Sequence, residues 1–576
     1  MEIFFMVLIA IILLASRWTV YVKLGEAGWK SIIPVYSDIV LLKIVELPIW
    51  YIFLYLIPGV NLYVIFKVNI RIARKFGRTA LFGVWLTILY PLVLPILAMS
   101  DKGDKNEETS AHQSATNNLA KIILGTILLS IILTWIFPIT YFGYSLMEDA
   151  KMEVGLFELF SYGPTIFNYF GSVIFYVLAI GGFYGVLYKI DGYRNLLDKI
   201  ANKFKGKENI FLCIVMILLA IITSMAGLAN ALLFLFPFLI SVILVMGYDK
   251  TTAALATVGA VAVGLIGTTV SATNIDAIVG LLELDFSSEL LTKAIILVVG
   301  LVLLVFNVLR YAKNHKLDKI AKDNLPVSTD SKKRSWPIVV IIDIVLITMI
   351  LASISWETVL GVKVFNTFHE TVTTFEIGGL AIFGKLLGDT SMVAFGNWTL
   401  ADFTLLLTIG AGIIAICYKK KFNEFFEAYL NGMKKAVKPA VLIFLAYIVL
   451  VITATHPVLL AIFKPILTAT SGFNVFTMSF VALISSIFSI EPYYIATTAL
   501  PYIASIIKDT TTYPLIAVVW QSMQGLAILI APTSVVLIST LSYLDISFWK
   551  WIKASWKLIL EILVALLLIF TILILI

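Results

Sequence analysis

The chain has 576 residues, of which 60% are hydrophobic and only 13% charged, and its mean hydropathy is +1.01. That balance excludes the soluble globular classes and implies a polytopic membrane protein. The formal charge of +7 comes from Lys and Arg grouped mostly in short loops, where they set orientation across a bilayer; nucleic acid is therefore not an expected partner.

The apolar stretches are about 20 residues long, the length a helix needs to cross roughly 30 Å of hydrocarbon. The period-2 pattern of a membrane β-barrel is absent, so the expected fold class is an all-α polytopic membrane protein. Cys213 and Cys417 lie in apolar stretches and read as small buried hydrophobes. Met1 to Ser16 is apolar, begins with Glu2, lacks a basic n-region and precedes Arg17, Lys23 and Lys30, the pattern of an uncleaved signal anchor.

Residues 1–100 form a small membrane module with apolar stretches near 2–16, 48–66 and 80–98 and an interfacial stretch from Gly25 to Val45. Its basic residues Lys67, Arg71, Arg74, Lys75 and Arg78 prefer the cytoplasm, yet three simple crossings would place them outside. Pro58-Gly59, Pro91 and Pro95 offer breaks that leave this topology open. A polar linker covers 101–118.

The first half of the body spans 119–313. Helices are expected near 119–142 and 167–188, followed by a basic loop from Lys189 to Lys207. Two apolar arms, 209–223 and 232–247, then join through Ser224 to Ala231; at about 16 residues each they read as a re-entrant hairpin. A broken segment, 253–283, is interrupted from Gly267 to Asn274, and a helix at 293–312 closes the half. Residues 314–398 comprise a polar linker, a connecting helix at 336–356 and an outer segment.

The second half spans 399–576 and repeats the order: helix 399–418, a basic loop from Lys419 to Lys438, helix 437–455, a hairpin across 473–508, a broken segment 513–543 and a last helix 552–575. Because helix 336–356 adds one pass, the second copy starts on the opposite face. The expectation is therefore an inverted-repeat transporter with two re-entrant hairpins and broken helices. Loop charge alone leaves the hairpins unproved, since full crossings keep every loop on the same side.

The doubling is chemical as well as topological. Ser224 and Gly264 in the first half recur as Ser485 and Gly525, each at the same offset. Hairpin tips and helix breaks release backbone N–H groups, which attract carboxylates, and carbonyls, which coordinate cations. Candidate substrate ligands are Ser224, Gly227, Asn230 and Asn274 in the first half, and Ser485, Ser489, Glu491, Thr533 and Ser534 in the second. Thr268, Thr269, Ser271, Thr273, Gln521 and Gln524 are candidate ion ligands. Ser and Thr also serve as plain helix–helix glue in membranes, and that reading stands beside the functional one. Glu491 can pair with a substrate amine, take a coupling proton or simply cap a helix. Asp276 reads as a helix cap near the outer surface.

Other chemistries fail. His369-Glu370 lacks the second His of a zinc-protease helix, Gly410-Ala-Gly412 lacks a third glycine, and no Walker sequence or nucleophile elbow occurs. An enzyme is not expected.

The body resembles the C4-dicarboxylate anaerobic carrier family over about 119–576. The likeness rests on Leu133-Thr-Trp-Ile-Phe-Pro138, Gly181-Gly182-Phe183-Tyr184-Gly185-Val186, Gly247-Tyr248-Asp249, Pro532-Thr533-Ser534 and Trp549-Lys550-Trp551. Its nearest branch is the one described as basic amino-acid antiporters. The resemblance implies ion-transporter superfamily architecture, with two hairpins in a transport domain that moves elevator-fashion against a scaffold. The front module resembles a small bacterial membrane domain of unknown function, through Gly28-Trp29-Lys30-Ser-Ile-Ile-Pro34-Val-Tyr36 and Ala73-Arg74-Lys75-Phe76-Gly77. Relatives carry a Glu-Glu pair in the first hairpin, where this chain has Gly227-Leu228-Ala229-Asn230-Ala231. The second tip, usually rich in Ser and Gly, reads Glu491-Pro492-Tyr493-Tyr494, so basic amino-acid specificity does not carry over.

The expected function is secondary active transport of a small carboxylate-bearing solute, an amino acid or C4-dicarboxylate, coupled to Na+ or protons. A non-transporting receptor or scaffold on a degenerate carrier fold is the alternative. No cofactor is expected beyond Na+ as coupling ion. The expected partners are the small-molecule substrate and the lipid bilayer, a homodimer is left open, and the expected location is the bacterial plasma membrane, multi-pass.

Overall fold

The computed structural model describes residues 2–575 except 57–59, 79, 89, 100–114, 138–139, 143–144, 148–152, 272–277, 286, 317–333, 358–359, 389–392, 471 and 489–490. Two compact units divide the chain, Met1–His112 and Gln113–Ile576.

In the first unit the helices are α1 (Glu2–Lys23), α2 (Tyr36–Ile44), α3 (Val60–Lys75), α4 (Ala80–Ile88) and α5 (Tyr90–Met99), with 3-10 turns at Gly28–Ser31 and Ile49–Leu56. The stretch expected at 48–66 begins as a 3-10 turn and ends in α3, and the stretch expected at 80–98 is helical on both sides of residue 89; Pro58-Gly59 lie outside the described residues. Several of the awkward cations are tied down internally. Arg71 donates to the carbonyls of Val45 and Glu46 at 2.8 and 3.0 Å, Lys75 pairs with Glu46 at 2.8 Å, and Arg17 pairs with Asp38 at 3.3 Å.

The second unit is helical apart from one pair of three-residue strands, Thr140–Phe142 and Ser145–Met147, a small departure from the all-α expectation. Its helices are α6 (Ala115–Ile136), α7 (Leu159–Leu187), α8 (Asp191–Lys203), α9 (Glu208–Ala226), α10 (Phe236–Val245), α11 (Lys250–Ile266) and α12 (Leu290–Asn314). There follow α13 (Trp336–Ser353), α14 (Val364–Thr374), α15 (Ile382–Leu387), α16 (Leu400–Cys417), α17 (Phe422–Thr455), α18 (Val458–Ala469), α19 (Val475–Phe488), α20 (Pro492–Ile506), α21 (Tyr513–Ala527), α22 (Val535–Leu544) and α23 (Phe548–Leu575). Among the described residues, eight helices are long and apolar enough to cross a membrane, so the protein is a multi-pass membrane protein.

Both basic stretches read as loops are largely helical. In α8 the side chains of Tyr193, Leu196 and Leu197 are buried on one face while the lysines face outward, an amphipathic pattern that charge counting overlooks. The stretch after Lys421 is the first part of α17, whose 34 residues extend well beyond the apolar segment. Helix α18, which lies between the expected helix 437–455 and the hairpin expected across 473–508, buries Val458, Leu459, Leu460, Phe463 and Leu467.

Helices α7 and α17 cross closely because the facing residues are small. A Cβ on Gly181 would lie 2.7 Å from the Gly432 carbonyl, and one on Gly185 would collide with the Ala428 carbonyl. In hydrocarbon, where water gives helices no reason to associate, such close backbone approach supplies the van der Waals attraction that joins them.

The first pair of arms returns to the end it started from. After α10, Gly247 turns the chain in a left-handed conformation (φ +89°), Tyr248 donates to Asn209 near the start of α9 at 2.7 Å, and Asp249 caps α11 by accepting from Thr252 N–H at 2.8 Å. Three consecutive residues thereby close one hairpin and open the next helix. At 19 residues, α9 is longer than the arm expected and by length alone long enough to cross, and the Asn209–Tyr248 contact brings the far ends of the two arms together.

Candidate functional site

Helix α11 stops at Ile266, well inside the apolar body, and its last carbonyls lose their partners within the helix. Lipid offers no donor, so the protein must supply them. Ser224 Oγ, near the end of α9, donates to Gly267 O at 2.7 Å, and Thr269 N–H returns a bond to Ser224 O at 3.1 Å. Two more donors come from the other half of the chain: Gln521 Nε2 reaches Thr268 O at 2.9 Å and Ser522 Oγ reaches Ile266 O at 3.1 Å. Gly525 makes this meeting feasible, since any Cβ there would collide with the Ile266 backbone. First tip, first break and α21 are thus one junction. Thr268 also belongs to it, fully buried with its hydroxyl turned back on Leu265 O at 2.9 Å.

Around the second break the same accounting gives a different result. Thr533 Oγ1 donates to Ile487 O near the end of α19 at 3.0 Å, so here the break supplies the hydroxyl and the hairpin the carbonyl. Trp551 Nε1 satisfies Leu529 O at 2.8 Å from a fully buried position on α23. Ser534 caps α22, its Oγ accepting from Leu537 N–H at 3.4 Å. Ser485, the counterpart of Ser224, is fully buried and its hydroxyl has no partner among the described residues. Glu491, immediately before α20, accepts from the Tyr447 hydroxyl at 2.9 Å; Tyr447 in turn stacks on Phe170 of α7 with centroids 4.2 Å apart.

Tyrosines of α7 hold the return arm of the first hairpin. Residues 231–235 form a 3-10 stretch with poorly satisfied carbonyls. Tyr176 donates to Ala231 O at 2.5 Å and Tyr184 to Phe234 O at 2.7 Å, while Tyr188 meets Tyr543 of α22 hydroxyl to hydroxyl at 2.7 Å. Beside this last pair a cavity of about 210 Å³ runs between α7 and α17 on one side and α10 and α22 on the other, with Lys189, Lys435 and Lys438 in its lining.

Residues 117–576 match the family model described as C4-dicarboxylate anaerobic carrier. The chain belongs to the C4-dicarboxylate anaerobic carrier family. Membership makes it a secondary transporter and not an enzyme, and it covers both junctions just described. Residues 29–104 match a family of unknown function (DUF5684). No curated protein gives a match. Among solved structures the chain is similar to the YdaH transporter of Alcanivorax borkumensis, at 12% identity and a TM-score of 0.39, over 79% of this chain and 98% of that one.

Of the residues singled out in the sequence of this carrier, Ser224, Thr268, Thr269 and Gln521 share the first junction, and Thr533 and Ser534 stand at the second. Gly227 ends α9 in a left-handed conformation (φ +67°), and Asn230, half-buried, leads into the 3-10 stretch. Ser271 and Gln524 are buried. Thr273, Asn274, Asp276 and Ser489 lie outside the described residues. Sequence reading missed Ser522, Trp551, Tyr447 and the tyrosines of α7. The spacing of Tyr176, Tyr184 and Tyr188, near multiples of a helical turn, carried a signal that apolar counting hides.

Proposed function

We propose that the chain is a secondary active transporter of a small carboxylate-bearing solute, an amino acid or C4-dicarboxylate, coupled to Na+ or protons. One observation carries the reading: at the first helix break, hydroxyl and amide side chains from distant segments converge on carbonyls that would otherwise be unpaired, and at the second a hydroxyl of the break reaches a carbonyl of the hairpin. Each such carbonyl keeps a second lone pair, and the neighbouring hydroxyls can serve a carboxylate as donors or a cation as acceptors. The family's printed name agrees with a dicarboxylate.

The two halves are read as inverted, with their hairpins entering from opposite faces. On this reading α7 and α17 are the scaffold, the hairpins with α11 and α21 are the moving domain, and the cavity with its lysines is the cytoplasmic opening between them. Glu491 supplies charge selectivity or a coupling proton.

Purified protein in proteoliposomes, loaded and unloaded with Na+ or held across a pH step, tests this directly with [14C]succinate and L-[14C]aspartate. Gradient-driven uptake is expected, and it should vanish in Thr533→Leu and Asn274→Leu while folding persists. Uptake that survives both substitutions overturns the site; no uptake under any gradient overturns the transport reading.

A further inference from the structure

The first unit, Met1–His112, encloses a cavity of about 280 Å³ to which each of its five helices and the 3-10 turn at Ile49–Leu56 contribute a side chain. A small domain ordinarily fills such a place with closely packed apolar groups. Here α1 brings Arg17 and Tyr21, α2 brings Asp38, the turn brings Tyr55, α3 brings Asn69 and α5 brings Tyr90. Charged groups within apolar helices are costly and mark functional sites by default.

The two charges engage each other only loosely. Arg17 Nη2 donates to Ser37 Oγ at 3.0 Å and to Asp38 Oδ1 at 3.3 Å, whereas a charge-assisted bond ordinarily closes to about 2.7–2.9 Å. Both bonds leave from Nη2, so the five-donor guanidinium retains N–H groups for a ligand, and Nε is buried with no hydrogen-bond partner among the described residues. Asp38 accepts through Oδ1 alone among the described residues. A pair that served only to join α1 to α2 would close bidentately and would need no cavity beside it. The surrounding polar groups are held in place: Tyr21 donates to Ser37 O at 2.7 Å, and Asn69 Nδ2 to Thr87 Oγ1 at 3.1 Å. The phenols of Tyr55 and Tyr90 lie within electrostatic reach of both charges.

We infer that this cavity binds a small zwitterion, its anionic oxygens on the Arg17 guanidinium and its ammonium on Asp38, with an apolar tail against Val20, Leu41 and Leu94. A ligand of single charge would be drawn to one of these groups and repelled by the other; a zwitterion satisfies both. Two sources offer this chemistry, a free amino acid with an apolar side chain and the ethanolamine headgroup of a phospholipid. The site lies in a different unit from both helix breaks and does not rest on the transport reading.

Full-length protein in phosphatidylcholine nanodiscs tests it, because the quaternary ammonium of that lipid has no N–H to give Asp38. If the source is the free amino acid, L-leucine should raise the thermal midpoint by at least about 2 °C at saturation, while isocaproate and isoamylamine, each lacking one of the charges, should not. If it is the lipid, L-leucine has no effect and admixed phosphatidylethanolamine gives the rise instead. Arg17→Gln and Asp38→Asn should each weaken the apparent Kd of the active probe at least about tenfold, and Gln521→Leu, at the first helix break, should leave it unchanged. Should neither neutral variant fold, the wild-type protein decides: diazirine analogues of L-leucine and of phosphatidylethanolamine should crosslink to peptides within residues 17–94, read by mass spectrometry. The proposal is overturned if neither probe stabilises the protein, if a singly charged analogue acts equally, if both neutral variants respond as wild type does, or if crosslinks fall only outside 17–94.

Discussion

At the first junction a serine, a glutamine and a second serine satisfy the carbonyls freed where α11 stops; at the second, a threonine of the break donates to a hairpin carbonyl and a tryptophan to Leu529 O, while Ser485 is unpaired among the described residues and a carboxylate accepts from a phenol. The sequence offset that aligns Ser224 with Ser485 thus joins residues with different duties. Ser224 is spent on structure. Ser485 has no hydrogen-bond partner among the described residues. Both sites are polar, but of the two serines only Ser224 has its hydroxyl paired among the described residues.

The glycine that lets the halves meet is where that comparison breaks most completely. Gly525→Val drives a branched side chain into the Ile266 backbone, and overpacking of this kind costs about 1–3 kcal/mol or more. Thermal unfolding should drop by several degrees and uptake should be lost. A variant with wild-type stability would mean that α21 and the first break are not in contact.

Removing a single donor has a smaller effect. Gln521→Leu keeps the volume but strands the buried Thr268 carbonyl, which costs about 1–3 kcal/mol. Uptake should fall about tenfold with loss of apparent solute affinity, measured as KM in proteoliposomes.

A paired substitution sharpens the contrast directly. Ser224→Ala leaves Gly267 O short of a donor and should destabilise the protein by about 1 kcal/mol. Ser485→Ala removes a hydroxyl that has no partner, so stability should stay within about 0.5 kcal/mol of wild type while the ion dependence of uptake changes. Equal destabilisation by the two would show that the junctions are equivalent after all.

How much of this was legible from the residues alone follows the physics of each signal. The recurrence of Ser224 and Gly264 as Ser485 and Gly525 exposed both junctions, because polar residues and glycines stand out against lipid-grade sequence. Membrane helices were visible for the same reason. The cross-chain bonds were not: nothing local to Gln521 or Ser522 indicates Thr268 and Ile266, more than 250 residues earlier. Helix α8 and the long start of α17 were hidden because lysines on an amphipathic face count as loop charge.

The mildest test concerns the contacts that the tyrosines of α7 make. Tyr176 and Tyr184 donate to backbone carbonyls that cannot move without the whole 3-10 stretch, whereas Tyr188 and Tyr543 meet through two side chains at the edge of the cavity, and Tyr543 is 39% exposed. If the hairpins slide along α7, the first two bonds must be exchanged for others, and the phenol pair need only part. Tyr188→Phe, Tyr543→Phe and the double variant should therefore give a coupling of no more than about 1 kcal/mol in stability. If the hairpins slide, their effect should fall on the turnover rate and not on KM, because the pair would part between the two positions. A KM shift in the double variant would place the phenols in the solute's path and make the cavity beside them part of the binding site.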